Sequence, residues 1–376
     1  MSAPTRISLV DETSCEADVE AVLDCLRSGW LTMGPRTQAL EQRLGELTGA
    51  AHALAVSSGT AGLQLALQAA GVGRGDEVVV PALAPVSAAA AVAALGAVPV
   101  LCDVADPLAP HAGPKQVEPA IGPRTRAIVA VHLHGHLADA AALRELADAR
   151  GLVLVEDCSS ALGAPGAGVA GALGVFSFAA GRQLAIGEGG LVVAADESHA
   201  ARVRSLRSHA MTSGTWDRHR GHDPRYDVVD AGYNFRLDEP RAALALTRLE
   251  RLAGEVDGRR ALLARARERL RGRDDVALVF NALSVEAASP AALPLALPDG
   301  ARRDRFAAAL DELGVPSETL PALHAFSAYR EVPGGARPQA EAAAARTCLL
   351  PLYAALGDDG MGFLLDAVEQ ALTRTG

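Results

Sequence analysis

Between Ala51 and about Asp196, short apolar runs alternate with stretches of helical spacing, and this alternation constrains the fold more than any other feature. The runs are Ala51–Val56, Glu77–Pro81, Val98–Val104, Ala127–His134, Leu152–Asp157, Gly174–Phe178 and Gly190–Ala195. Most are near-continuous in Val, Leu, Ile and Ala, as expected of strands covered on both faces. Thr60–Ala70, Ser87–Leu95 and Ala138–Arg150 read as helices between them. The first is entered at Ser57 or Ser58 and left at Gly71. This order predicts an α/β domain built on a mostly parallel, seven-stranded sheet.

After Pro240 the pattern changes. Arg241 to about Arg273 reads as one long helix. Strand-like Val276–Val279 and Ala292–Leu297 follow, with helices near Ala301–Leu313, Ala336–Arg346 and Met361–Thr373. The expected organisation is a large α/β domain with an N-terminal arm over residues 1–240 and a smaller α+β domain over 241–376. A chain of 376 residues, 49% hydrophobic, is long enough for both cores. A net charge of −10 disfavours nucleic acid or an anionic membrane as partner. No apolar run is long enough to span a bilayer, and Met1–Val10 has no signal-peptide pattern, so the expected location is the cytoplasm. The five cysteines are scattered without a C-x-x-C pair and read as thiols in a reducing compartment.

Several local patterns carry chemistry. Ser58-Gly59-Thr60-Ala61 follows a strand and opens a helix, where backbone N–H groups and the helix dipole suit a phosphate. Asp157 ends the run Val153-Leu154-Val155-Glu156-Asp157 at the edge where open α/β sheets place their ligands. His132-Leu133-His134-Gly135-His136 puts alternate histidines on one face if the strand continues through them, which invites a metal reading. The segment Phe176-Ser177-Phe178-Ala179-Ala180-Gly181-Arg182-Gln183-Leu184-Ala185-Ile186-Gly187-Glu188-Gly189-Gly190 and the segment Gly232-Tyr233-Asn234-Phe235-Arg236 complete the set.

Together these segments resemble the DegT/StrS-type sugar aminotransferases over nearly the whole chain. Gly29-Trp30-Leu31-Thr32-Met33-Gly34-Pro35, Gly75-Asp76-Glu77-Val78, Gly96-Ala97-Val98-Pro99-Val100 with Asp103, and Leu323-His324 match as well. The resemblance implies a fold-type-I pyridoxal 5′-phosphate (PLP) enzyme. It implies a phosphate cup at Gly59, Thr60, Ala61 and Ser177, and Asp157 paired with the pyridine nitrogen. Asn234 is implied to reach the phosphate of a neighbouring subunit, hence a homodimer with shared sites. The family's V-H-L-[YH]-G-H pattern favours a structural or substrate-facing role for the histidines, and no metal is expected.

The departures are concentrated at the ring. Arg182 stands where the family has its Schiff-base lysine, and a guanidinium stays charged without a free lone pair for an aldehyde. Lys115 is the only lysine in the chain, against a strong arginine bias. The family's V-P-x-x-T-[FYW] becomes Val80-Pro81-Ala82-Leu83-Ala84-Pro85, so Pro85 replaces the ring that stacks on the cofactor. That stack contributes about 0.5–1.5 kcal/mol, so its loss alone does not abolish binding. E-D-A-A-Q becomes Glu156-Asp157-Cys158-Ser159-Ser160, and Ala88 and Ala90 replace polar residues.

The implied function is therefore a secondary-metabolite enzyme acting on a sugar or nucleotide-sugar-like small molecule without a PLP imine. Arg182 would be its fixed cation, and Asp157, His132 or His134 its acid–base groups. Pro85, Ser160, His222 and His324 are the expected substrate-facing positions. A second reading keeps pyridoxamine phosphate (PMP) or PLP bound non-covalently, and a third makes the chain a non-catalytic binding homologue. The run Trp216–His222 fits a solvated loop or a loop over the neighbouring subunit's site equally well.

Overall fold

The computed structural model describes residues 6–11, 13–212 and 226–376. His222 and the Trp216–His222 run lie outside the described residues. Helices α1 (Glu16–Ser28) and α2 (Pro35–Thr48) lead into the sheet strands β1 (His52–Val56), β2 (Glu77–Pro81), β3 (Val98–Cys102), β4 (Thr125–Val131), β5 (Val153–Asp157), β6 (Leu173–Ser177) and β7 (Gly190–Ala194). Their spatial order is β1-β7-β6-β5-β4-β2-β3. The pairs β3–β2, β2–β4, β4–β5 and β5–β6 are parallel, while β7 runs antiparallel to both β6 and β1. Two reversals leave β1 parallel to β6. The ends of β1, β2, β5 and β6 therefore share one edge, which brings Ser58, Pro85, Asp157 and Ser177 to the same side.

Helices α3 (Gly59–Ala69), α4 (Val86–Ala94), α5 (Pro114–Val117), α6 (Ala140–Arg150) and α7 (Glu197–Leu206) fill the connections. Their ends follow local chemistry. Ser58 Oγ accepts from Ala61 N at 3.1 Å and Asp139 Oδ1 from Ala142 N at 3.0 Å, satisfying helix-start donors. Gly151 closes α6 in the left-handed conformation, φ 65°. All five residues of β2 and of β7 are buried, which is why those runs carry no polar alternation.

The expected single helix over 241–273 is two, α8 (Glu239–Leu249) and α9 (Leu252–Arg269). No Pro or Gly marks the break. Arg251 N bonds back to Arg248 O, and the side chains of Arg248 and Arg251 both reach the buried carboxylate of Asp18 on α1. A tertiary ion pair thus ends α8 where the helical spacing continues. Beyond it lie β8 (Ala277–Leu278), β9 (Leu293–Ala296), α10 (Gly300–Glu312), α11 (Pro338–Arg346), β10 (Thr347–Leu350) and α12 (Gly357–Thr375). The three strands form an antiparallel sheet ordered β10-β9-β8. Their core gathers Leu293, Leu295, Phe306, Leu364 and Leu365, and it takes in Ile7 from the N-terminal arm.

One close approach fixes this C-terminal part over the sheet edge. Ser289 N donates to Gly135 O at 2.9 Å and Ala291 N to His134 O at 3.0 Å. Gly135 has φ 86°, and a Cβ there would stand 1.8 Å from Ser289 O. Only glycine fits. No helix among the described residues is long and apolar enough to cross a membrane.

Candidate active site

The edge of β5 supplies two adjacent carboxylates with separate tasks. Glu156, fully buried, accepts from Gly171 N at 2.7 Å and Gly168 N at 3.3 Å, and its Oε2 lies 2.9 Å from His132 Nε2. His132 Nδ1 accepts from Ala138 N at 3.0 Å, so Nε2 carries the proton donated to Glu156. Both ring nitrogens are occupied, and His132 is 2% exposed. His132, Glu156 and Cys158 place one ligand atom each within 4.8 Å. Yet Glu156 already accepts on both oxygens, and burial, then Glu156 and Asp157, push the Cys158 thiol well up. A protonated thiol is a poor metal ligand, and the trio reads as an anchor tying β4 to β5.

The expectation that His132 and His134 share a strand face is corrected. Strand β4 stops at Val131, and His134 turns left-handed at φ 54°, ψ 21° inside a short 3-10 turn. The same turn brings Gly135 against Ser289, so inter-segment packing overrides the apolar pattern. His132 faces the interior of the sheet edge, whereas His134 reaches the cavity wall. Burial, with His136 and Arg182 adding to it, lowers His134 to about 3. At neutral pH it is an uncharged imidazole.

Asp157 is 1% exposed. Its Oδ1 accepts from Ser159 N at 3.0 Å, and its Oδ2 is buried without a hydrogen-bond partner. An orphaned carboxylate oxygen at a sheet edge marks a place for a donor from a ligand.

Arg182 is carried by the loop after β6. Phe178 N bonds Gly189 O at 2.9 Å and Ile186 N bonds Phe178 O at 2.8 Å, closing the loop. Gly181, at φ 78°, sits so near Val10 that a Cβ would come within 2.8 Å of its Cγ1. Arg182 Nη1 donates to Ser160 Oγ at 2.5 Å, while its Nε is buried without a partner. Burial lowers the guanidinium pKa; the nearby Asp157 and Glu318 carboxylates oppose this, and Arg259 adds to it. An arginine starts high enough to remain a cation.

Arg182 lines a cavity of about 250 Å³ whose wall also includes Pro85, His134, Ser160, Glu318 and Leu320; Asp157 is not on this wall. We call it the ring-side cavity. Sequence reasoning missed Glu318, which lies in no recognisable pattern; its backbone pairs with Leu349 of β10, the strand also missed. It also passed over Gln183, whose Nε2 donates to Ser160 O and Ser289 O at 2.6 Å each. That amide fixes the segment carrying Ser160 against the C-terminal part.

The remaining positions lie off this wall. Gly59 and Ser177 are in close contact: a Cβ on Gly59 would fall 2.9 Å from Ser177 Cβ. With Ala61 N capped by Ser58, the Gly59 and Thr60 amides open the N-terminus of α3 beside Ser177. Asn234 forms a bridge with Ser208, and the flanking Tyr233 and Phe235 rings stack at 4.7 Å. His324 Nε2 is 3.1 Å from Glu341 Oε1 on α11 and is not part of the ring-side wall. Lys115 is exposed on α5, outside this wall.

Comparison with known proteins agrees with this architecture. The profile described as the DegT/DnrJ/EryC1/StrS aminotransferase family matches residues 12–369. The chain is 34% identical to the aminotransferase TlmJ from Streptoalloteichus hindustanus, with a TM-score of 0.90 over 99% of this chain and 100% of that one. It is 33% identical to DesV of S. venezuelae, solved in complex with a ketimine intermediate, with a TM-score of 0.87 over 97% and 98% of the two chains. A DegT DnrJ EryC1 StrS aminotransferase from Brucella abortus is similar at 27% identity, with a TM-score of 0.86 over 97% and 99%.

Proposed function

The chain belongs to the DegT/DnrJ/EryC1/StrS aminotransferase family, and on that premise we propose that it is a small-molecule enzyme of secondary metabolism that uses the family's pocket without a cofactor imine. The carrying observation is the place of its one lysine: Lys115 is exposed on α5, while the cationic residue on the ring-side wall is Arg182. Members of this family bind PLP or PMP. The residues present fit part of that group. The α3 entrance with Ser177 suits a phosphate, and the orphaned Asp157 Oδ2 suits a protonated ring nitrogen. Among the described residues nothing on the ring-side wall offers an amine for the imine, so no step is routed through it.

In this reading Arg182 is the fixed cation of the site. Its fork is held by Ser160 at one end, leaving the guanidinium to bind a carboxylate, a phosphate or a developing oxyanion of a sugar or nucleotide-sugar-like substrate. It cannot take up a proton. Proton transfer then falls to Asp157, to the uncharged His134 or to Glu318, which all approach the same guanidinium. His132 positions the β5 carboxylates through Glu156. Pro85, on the ring-side wall, stands where the family pattern has the aromatic ring that stacks on the pyridine. Asn234 is assigned to a site shared between two subunits of a homodimer, and the location proposed is the cytoplasm.

A second reading, non-covalent PMP, is favoured by the Asp157 oxygen and the α3 entrance. The test is a panel of nucleotide sugars and small amines, incubated with and without PMP and read by mass spectrometry, on the wild type and Arg182→Gln. We expect turnover without PMP that falls at least a hundredfold in the variant, the scale of one lost oxyanion donor. Turnover only with PMP selects the second reading; binding without turnover selects a non-catalytic homologue.

A further inference from the structure

A second cavity, about 340 Å³, adjoins the ring-side cavity and shares Gly181 and Arg182 with it. The N-terminal arm forms one side through Asp11, Thr13 and Cys15, and the α8–α9 junction forms the other. Four guanidiniums reach its wall: Arg182, Arg248, Arg251 and Arg259. Three have carboxylates in contact. Arg248 and Arg251 share Asp18, which lies behind the wall, and Arg259 Nε holds Glu255 at 2.7 Å. Arg182 has none: its hydrogen bond goes to the neutral Ser160, and its Nε is buried without a partner. Asp11, the remaining acid on the wall, accepts from Thr13 N and Oγ1 at 2.9 and 2.6 Å.

The backbone adds to this positive field. Helix α9 runs for 18 residues and starts at this wall, and its N-cap Arg251 makes no side-chain capping hydrogen bond. The first-turn residue Gly254 lies on the wall, and a Cβ placed there meets nothing within 4 Å. A helix start with uncapped N–H groups attracts anions, and a desolvated guanidinium with no carboxylate in direct contact, Asp157 and Glu318 standing only nearby, is stabilised by one.

We propose that this cavity is an anion-binding site that takes a carboxylate or phosphate group between Arg182 and the first turn of α9. It goes beyond the reaction proposed above and stands on this cavity alone. Since Arg182 walls both cavities, the bound anion lies against the guanidinium assigned to that reaction.

Gly254→Glu tests it. The substitution puts a carboxylate into the cavity at a position with open space, and an acid in the first turn suits the helix dipole, so the fold is kept. Ala253→Glu is the matched control: it adds the same charge to the same turn from an exposed residue outside the cavity wall. Calorimetric titrations with inorganic phosphate and with malonate are run on the wild type and both variants, with thermal unfolding as a check of fold. The expected result is saturable binding of phosphate, malonate or both to the wild type and Ala253→Glu, weakened at least tenfold in Gly254→Glu. Binding of phosphate alone assigns a phosphate group; binding of malonate assigns a carboxylate. The proposal is overturned if neither anion binds the wild type. It is also overturned if both variants lose binding equally, or if Gly254→Glu binds as the wild type does, which would place the anion at the α3 entrance.

Discussion

A lysine and an arginine differ at this site in more than basicity. A lysine ammonium gives up its proton when buried and can then attack a carbonyl; a buried guanidinium keeps its charge and keeps its donors in a fixed fork. Arg182, desolvated and pinned to Ser160, is a permanent electrostatic feature. The histidines behave oppositely. His111 and His136 both stack on the Phe280 ring, at 4.5 and 4.7 Å, and His134 meets it edge-on at 6.5 Å. Burial, first among the causes for each, lowers His111 and His134 to about 3 and His136 to about 4. Unfolded histidines titrate near 6.5, so on acidification the unfolded chain takes up protons that the folded chain refuses. Stability from these residues is therefore full above about pH 6.5 and is lost progressively as pH falls toward the folded values. Each contributes a slope of about 1.4 kcal/mol per pH unit near pH 5. Urea unfolding at pH 7.5, 6 and 5 should show this steep loss, and calorimetry should find roughly three protons taken up on unfolding at pH 5. A flat profile over that range would contradict the burial of uncharged imidazoles.

Single elements show where sequence and structure part. The seven strands of the large sheet were legible because each is a buried run bounded by a cap or a glycine, as at Ser58 and Gly151. Strand β10 was not. Its four residues follow the alanine-rich α11 directly, with Thr347 serving as both helix end and strand start. The break between α8 and α9 was hidden for another reason, since its cause is Asp18, more than two hundred residues away in sequence. His134 was misplaced because the turn at Gly135 is set by contact with Ser289. That contact gives a prediction at this scale. Gly135→Ala puts a Cβ into Ser289 O and strains a left-handed backbone, so we expect a loss of about 3 kcal/mol or more in chemical denaturation. A loss under 1 kcal/mol would show that the C-terminal part is not held at this turn.

Across the whole molecule, the candidate site is assembled from distant parts of the chain. The large-sheet edge supplies Pro85, Asp157 and Ser160; the β6 loop supplies Arg182; the stretch before β10 supplies Glu318. The sequence pointed to the first two groups, because a sheet edge and a loop that resembles a family pattern carry local signals. It missed Glu318, because only tertiary packing brings that residue to the cavity. We keep the division near residue 240 as a proposal. The C-terminal core also includes Ile7, so the N-terminal arm crosses it. The central claim concerns the same assembly: the ring-side cavity holds a guanidinium and no amine. It is tested most directly by adding PLP to the purified wild-type protein, reducing with borohydride and measuring the intact mass, with Arg182→Lys alongside. The account predicts no stoichiometric adduct on the wild type. It also predicts that the lysine variant, even if it gains an adduct, does not recover transamination, because Pro85 and Ser160 remain. A stoichiometric wild-type adduct, on Lys115 or elsewhere, would contradict it.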